Sequence, residues 1–143
     1  NIYAIAAGVA EGLNLGENAK SALISRSFAE MTRYAKKFKA DKSTLFGLSG
    51  LGDLILTCSS KNSRNTQFGI KLASSKYDNF LDLLKSQEVT EGYYTVKAVY
   101  NISQKKNIDM PIMESVYNIL YKQHDLKEEL SNLLSRPITE EKI

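Results

Sequence analysis

Apolar residues recur with the period of an α-helix along almost the whole sequence. Positions spaced three or four apart mark one face of a helix, whereas strands alternate at period two, and no alternating run here has turn residues on both sides. The pattern predicts an all-α protein of about seven or eight helices with short loops, a compact single domain over residues 1–143. The predicted core positions are Ile24, Phe28, Met31, Ala35 and Phe38; Tyr77, Phe80, Leu81 and Leu84; Val96, Val99, Tyr100 and Ser103; Ile112, Met113, Val116, Tyr117, Leu120 and Tyr121; and Leu126, Leu130, Leu133 and Leu134.

Composition narrows the class of protein. An apolar content of 43% and a charged content of 24% are ordinary for a globular domain. A formal net charge of +3 is too small to indicate the dense basic surface of a nucleic-acid binder, so we expect no nucleic-acid partner. The single cysteine, Cys58, excludes an internal disulfide and is typical of a reducing compartment, which predicts a cytoplasmic protein.

The first segment, "NIYAIAAGVAEGLNLG", is apolar for about ten residues before Glu11, which is too short to cross a bilayer. We therefore predict no membrane insertion. Gly8 and Gly12 form a G-x-x-x-G pair, which outside a long apolar run indicates only close helix packing. The segment begins within a helical pattern and without an initiator Met, so we expect a piece of a longer protein.

The stretch "GLSGLGDLILTCSSKNSRN", Gly47 to Asn65, departs from the plain helical pattern. Its glycines remove side chains and allow a ligand or another backbone to come close. Asp53 and Thr57 are four residues apart and share one helix face. A different face, predicted to be buried, is formed by Leu51, Leu54, Ile55 and Cys58.

A second helix is predicted to begin after the loop, with Ser63 as its N-cap. The N–H groups at a helix start attract anions, and Arg64 adds a planar two-pronged donor at the same place. The stretch therefore suggests a site with an anion-binding end and a carboxylate and hydroxyl end, suited to a small polyol carrying a phosphate. The alternative is local capping by Asp53, glycines that only serve turns, and a solvated Arg64.

Several longer motifs carry a resemblance to a known family. "NIYAIAAGVAEGLNLGENAKSALISRSFAEMTR", "GLSGLGDLILTC", "SRN" and "EGYYTVKAVY" occur in the order and spacing of the C-terminal helical domain of bacterial NAD(P)-dependent glycerol-3-phosphate dehydrogenases. The resemblance implies a 6-phosphogluconate-dehydrogenase-like C-terminal fold. It also implies reversible hydride transfer between NAD(P)H and dihydroxyacetone phosphate, giving sn-glycerol 3-phosphate for phospholipid synthesis.

The resemblance also assigns roles to individual residues. The catalytic lysine of the family precedes an Asn that matches Asn1, so we expect the chain alone to be inactive. Val89 is followed by Thr90 where the family often repeats Val, a change from which we expect little consequence. The implied site residues are Asn1, Asp53 and Thr57 for catalysis, Asp53, Ser63, Arg64 and Asn65 for substrate, and Arg64, Val89 and Glu91 for the cofactor.

The implied partners are the substrate, NAD or NADP, an N-terminal Rossmann domain absent from this sequence, and a second subunit in a homodimer. No metal site is predicted. From the residues alone, a first-turn acid such as Glu91 is favoured by the helix dipole whatever it binds. A helical binding or dimerisation module without catalysis therefore remains the alternative function.

Overall fold

The computed structural model describes residues 1–74, 80–86 and 89–137. Within these ranges the chain forms nine α-helices, one π-helical turn and no strand. The all-α prediction is confirmed, and the predicted helix number is low because the shortest helices span too few residues to show a repeating face. The elements are α1 (Ile2–Gly12), α2 (Glu17–Lys37), α3 (Lys42–Phe46), the π-helical turn (Leu48–Gly52), α4 (Asp53–Ser59), α5 (Arg64–Ala73), α6 (Phe80–Lys85), α7 (Glu91–Lys106), α8 (Pro111–Lys122) and α9 (Leu126–Leu134).

Helix α1 is the centre of the fold. Every residue from Ile2 to Ala10 is buried, which matches a helix that is apolar on all sides. It contacts α2, α4, α5, α7 and α8. Among the described residues, no helix combines the length and the apolar character needed to cross a bilayer.

The contact between α1 and α5 is a backbone-to-backbone crossing. A Cβ atom at Gly8 would lie 2.1 Å from the carbonyl oxygen of Thr66, and one at Gly69 would lie 2.1 Å from the carbonyl oxygen of Ile5. Only glycine fits at both positions, because neither carbonyl can move without moving its helix. Gly12 extends the crossing, so the close packing predicted from the G-x-x-x-G pair is confirmed.

Helix α2 confirms the predicted face only in part: Ala35 is buried as expected, but polar residues share the buried face. The fully buried positions include Leu23, Ser27 and Glu30, and the Ser27 hydroxyl donates to the carbonyl of Leu23 at 2.8 Å. Phe38, predicted to lie in the core, is 47% exposed. The predicted residues Ile24, Phe28 and Met31 are only half-buried against the core.

Glu30 is buried because it caps another helix. Its carboxylate accepts hydrogen bonds from the backbone N–H groups of Ile112 and Met113, in the first turn of α8. Pro111 occupies the first turn of α8, as a proline without an N–H can. A long-range carboxylate therefore satisfies the free N–H groups at the start of α8.

Four tyrosines join α7 to α8. The rings of Tyr100 and Tyr117 stack at 3.7 Å with an interplanar angle of 2°, and Tyr121 stacks on both Tyr117 and Tyr93 at 5.1 and 4.8 Å. The Tyr121 hydroxyl donates to the carbonyl of Tyr93 at 2.6 Å. This stack fixes the first turns of α7 against α8.

Helix α6 is formed, but of its predicted core side chains the structure describes only that of Leu81, because those of Phe80 and Leu84 lie outside the described part. Leu81 is 46% exposed, whereas Leu83 is fully buried. Tyr77, which belongs to the same predicted stripe, lies outside the described residues.

The helix crossing generates a stability prediction. We expect Gly69→Ala to destabilise the chain by about 1–3 kcal/mol, because the new Cβ collides with backbone rather than with a flexible side chain. Urea denaturation measures the difference. Gly47→Ala is the matched control, since a Cβ there finds its nearest neighbour at an ordinary 3.5 Å, and equal losses in both variants would contradict the role of the crossing.

A second prediction concerns pH. Burial raises the pKa of Glu30 to about 7, outweighing the hydrogen bonds from Ile112 and Met113. Between the ordinary value near 4.5 and about 7, the folded state holds a proton that the unfolded state has released. The Glu30 contribution to stability is therefore full below this window and falls as pH rises through it, by roughly 3 kcal/mol at 1.36 kcal/mol per unit.

Urea midpoints at pH 5, 6, 7 and 8 for wild type and Glu30→Gln measure this contribution. The variant gains stability relative to wild type as pH rises. Two curves that stay parallel across the four pH values would show that Glu30 does not titrate in this range.

Candidate functional site

The π-helical turn brings the chain to Asp53. A Cβ at Gly50 would lie 2.2 Å from the carbonyl oxygen of Leu45, so the glycine permits a close approach between this turn and α3. Gly47 and Gly52 have no such restriction. π-Helical turns recur at functional sites. Here the turn leads directly into α4, whose first residue, Asp53, is exposed.

Helix α4 buries a narrower face than predicted. Leu54 and Cys58 are buried, as expected, and Leu51 is half-buried. The prediction for Ile55 is wrong, because its side chain is 46% exposed. Burial raises the pKa of the Cys58 thiol to about 11, which fits a packing residue rather than a nucleophile.

The two polar residues of α4 differ in their partners. The Thr57 hydroxyl donates to the backbone carbonyl of Asp53 at 2.7 Å. Across the ranges that the structure describes, the Asp53 carboxylate itself has neither a hydrogen bond nor an ion pair. The carboxylate is therefore free to bind a donor, while Thr57 accepts through its oxygen.

The start of α5 is fixed to the end of α4. Ser63 is the N-cap, as predicted, and its Oγ accepts from the N–H of Thr66 at 3.4 Å. The buried Thr66 hydroxyl donates to the carbonyl of Thr57 at 2.8 Å. These bonds place the first residues of α5 beside the Asp53 helix.

Asn65 is the buried polar centre of the site. Its Oδ1 accepts from the Thr90 hydroxyl at 2.6 Å and from the backbone N–H of Gly92 at 3.0 Å. An N–H group can only donate, so the bond from Gly92 fixes which end of the amide is oxygen. Nδ2 of Asn65 has no hydrogen-bond partner among the described residues, and no fully buried side-chain nitrogen there lacks one, so part of Nδ2 stays accessible from outside.

Arg64 and Glu91, both predicted to bind cofactor, pair with each other. Nη1 of Arg64 lies 3.1 Å from Oε1 of Glu91. Both side chains are largely exposed, so the pair adds little to stability. It joins the first residue of α5 to the first residue of α7, and Glu91 sits where a helix dipole favours an acid.

Asn1 closes the site from the side of α1. Its carbonyl oxygen would lie 3.0 Å from a Cβ at Gly92, whose other near neighbours would be Oδ1 of Asn65 and Cδ1 of Ile5. The backbone nitrogen of Asn1 lies within the electrostatic reach of Cys58 and Asp53. The start of α1 therefore lies beside both the Asp53 carboxylate and Asn65.

The structure thus brings most of the predicted residues together. Val89 is half-buried against the core, and the cofactor contact expected of it stays a prediction. Thr90, from which the sequence analysis expected little consequence, binds Asn65 through its hydroxyl, a contact that the analysis did not predict. The available signal was its place directly before "EG", because Thr is a preferred N-cap residue and could be expected at the start of α7.

Comparison with known proteins shows the family to which the chain belongs. A family model for the C-terminus of NAD-dependent glycerol-3-phosphate dehydrogenase matches residues 1–131. A relative from Solidesulfovibrio magneticus, named glycerol-3-phosphate dehydrogenase [NAD(P)+], is 46% identical over 142 residues, covering 99% of this chain and 42% of the relative. One from Colwellia psychrerythraea with the same name is 44% identical over 136 residues, covering 95% and 40%.

Solved structures show the same fold. A glycerol-3-phosphate dehydrogenase from Coxiella burnetii superposes with a TM-score of 0.88 at 39% identity, covering 94% of this chain and 41% of that one. A yeast glycerol-3-phosphate dehydrogenase gives a TM-score of 0.80 at 26% identity, covering 94% and 39%. The chain spans about two fifths of the length of the curated relatives it matches.

Proposed function

The chain belongs to the family of C-terminal domains of NAD-dependent glycerol-3-phosphate dehydrogenases, and we propose that it is the substrate-binding part of such an enzyme. The enzyme would transfer a hydride between NADH or NADPH and dihydroxyacetone phosphate to give sn-glycerol 3-phosphate. The observation that carries the proposal is the meeting of the α5 and α7 starts around Asn65, Arg64 and Glu91.

The phosphate would lie at the start of α5. The free N–H groups of this ten-residue helix, the Arg64 guanidinium and the Nδ2 group of Asn65 are all donors, and together they suit an anion. Ser63 supports this end as the cap of the helix. No carboxylate of the site competes there except Glu91, which Arg64 neutralises.

Asp53 would act at the opposite end. The backbone nitrogen of Asn1 lies within the electrostatic reach of the Asp53 carboxylate, so a lysine joined to that nitrogen would be attached beside the carboxylate. A carboxylate beside that ammonium would hold it and adjust its pKa for proton transfer to the substrate oxygen. Thr57, on the same helix face, would bind the substrate hydroxyl.

The residues at the α7 start fit a dinucleotide. Arg64 offers donors and Glu91 offers an acceptor, both exposed, and Val89 lies two residues before Glu91 in the chain. The nicotinamide ring would supply the hydride chemistry, while the protein orients both reactants. Whether NAD or NADP is used depends on contacts to the ribose 2′ position outside these residues.

A second domain would cover the site. Leu48 and Leu56 flank Asp53 in the chain and are 91% and 68% exposed, which is costly for leucine in a lone domain. We propose that an N-terminal dinucleotide-binding domain buries this surface. The family resemblance further suggests a homodimer, and the single buried Cys58 suits the cytoplasm.

Turnover by the full-length enzyme tests the proposal. The expected result is oxidation of NADH or NADPH driven by dihydroxyacetone phosphate. We expect kcat to fall about 100-fold or more in Asp53→Asn, because Asp53 would position the lysine that transfers the proton. Asp125→Asn is the matched control, since asparagine still caps α9 at that position. A wild-type protein inactive with both cofactors would favour the non-catalytic helical module instead.

Arg64 tests the anion-binding end. We expect Arg64→Ala to raise KM for dihydroxyacetone phosphate by an amount equivalent to about 2–4 kcal/mol, the range for losing one partner of a desolvated charge pair. Arg64→Lys recovers part of this loss, because lysine keeps the charge without the two-pronged geometry. The exposed Arg136→Ala serves as the matched control, and an unchanged KM in Arg64→Ala would place the phosphate elsewhere.

A further inference from the structure

The Asn65 side-chain amide can adopt two orientations, and only the groups around it determine which one it takes. Its oxygen is an acceptor and its nitrogen is a donor, and a rotation of half a turn exchanges them. In this chain the oxygen points to the start of α7, where it receives the Thr90 hydroxyl and the Gly92 N–H. Asn65 and Thr90 are 5% and 4% exposed.

We propose that Thr90 is a positioning residue for the substrate, because its hydroxyl holds the Asn65 amide with the NH₂ group turned toward the phosphate. The inference rests on the proposed function, in which Asn65 binds that phosphate. Thr90 itself touches no substrate.

The hydroxyl contributes something that the Gly92 N–H alone does not. A carbonyl oxygen has two acceptor positions, and Thr90 fills the one that the backbone leaves open. A rotated amide would lose both bonds and set its own N–H groups against the Gly92 N–H. In a buried setting, such unmade bonds are costly, so two donors hold the orientation more firmly than one.

The same bond joins the two halves of the site. Thr90 is the N-cap of α7, and the next residue, Glu91, pairs with Arg64. Two consecutive residues at the start of α5 therefore bind two consecutive residues at the start of α7: Asn65 binds Thr90, and Arg64 binds Glu91. A displacement of the α7 start would therefore move the Asn65 amide and the Arg64 partner together.

The Thr90→Val variant isolates the hydroxyl. Valine keeps the shape, but its methyl group cannot donate and cannot approach Oδ1 of Asn65 to the 2.6 Å of the hydroxyl. In the full-length enzyme we expect KM for dihydroxyacetone phosphate to rise about three- to tenfold, the range for one hydrogen bond, with kcat changed less than twofold. Thr90→Ser restores the hydroxyl and is expected to restore KM.

Thr32→Val is the matched control. Thr32 is similarly buried, and its hydroxyl donates to the Phe28 carbonyl at 2.9 Å within α2, outside the site. We expect its KM to equal the wild-type value even if both variants lose thermal stability. A KM increase of equal size in Thr32→Val would mean that the Thr90 effect is only a loss of stability.

A double-mutant cycle tests whether Thr90 acts through Asn65. If it does, Thr90→Val adds nothing to KM in an Asn65→Ala background, whereas independent effects would multiply and overturn the inference. Thr90→Ala, which only removes atoms, replaces Thr90→Val if valine prevents folding. A wild-type enzyme without turnover refutes the proposed function, and an active enzyme whose KM ignores Thr90→Val refutes this inference alone.

Discussion

The fold depends on one contact, the crossing of α1 and α5 at Gly8 and Gly69. Each glycine lets the backbone of the other helix approach to a distance that any side chain would prevent. Because α1 is buried on all sides, the surrounding core fixes its position. The close contact at the crossing then fixes α5 relative to α1. The first residues of α5 are Arg64 and Asn65, so the candidate site begins on the helix that this crossing holds in place.

The start of α7 is held by a different kind of contact. Its polar groups meet Asn65 and Arg64, while its ring-bearing face stacks on α8 through Tyr93 and Tyr121. The apolar stack supports the helix and the polar bonds set its direction. A site at the meeting point of two helix starts needs both the ring stack and the polar bonds. A small rotation of either helix would separate the groups that bind one ligand.

The sequence predicts well those features that follow from local periodicity or from motif. The helical class, the Ser63 cap and the buried Cys58 were all foreseeable, and the family match confirms the motif. The burial of Glu30 could not be predicted, because the helix that Glu30 caps lies more than eighty residues away in sequence. The Thr90–Asn65 bond was missed for the same reason: residues 25 apart meet only in the fold.

The tyrosine stack has a consequence for spectroscopy. The chain contains no Trp, so its near-ultraviolet circular dichroism comes mainly from tyrosine and phenylalanine. Tyr100 and Tyr117 lie parallel at 3.7 Å, a geometry in which the ring transitions couple, and the stack continues to Tyr93 in the first turn of α7. The protein therefore carries an optical reporter of its own, whose signal depends on the placement of the helix that holds Glu91.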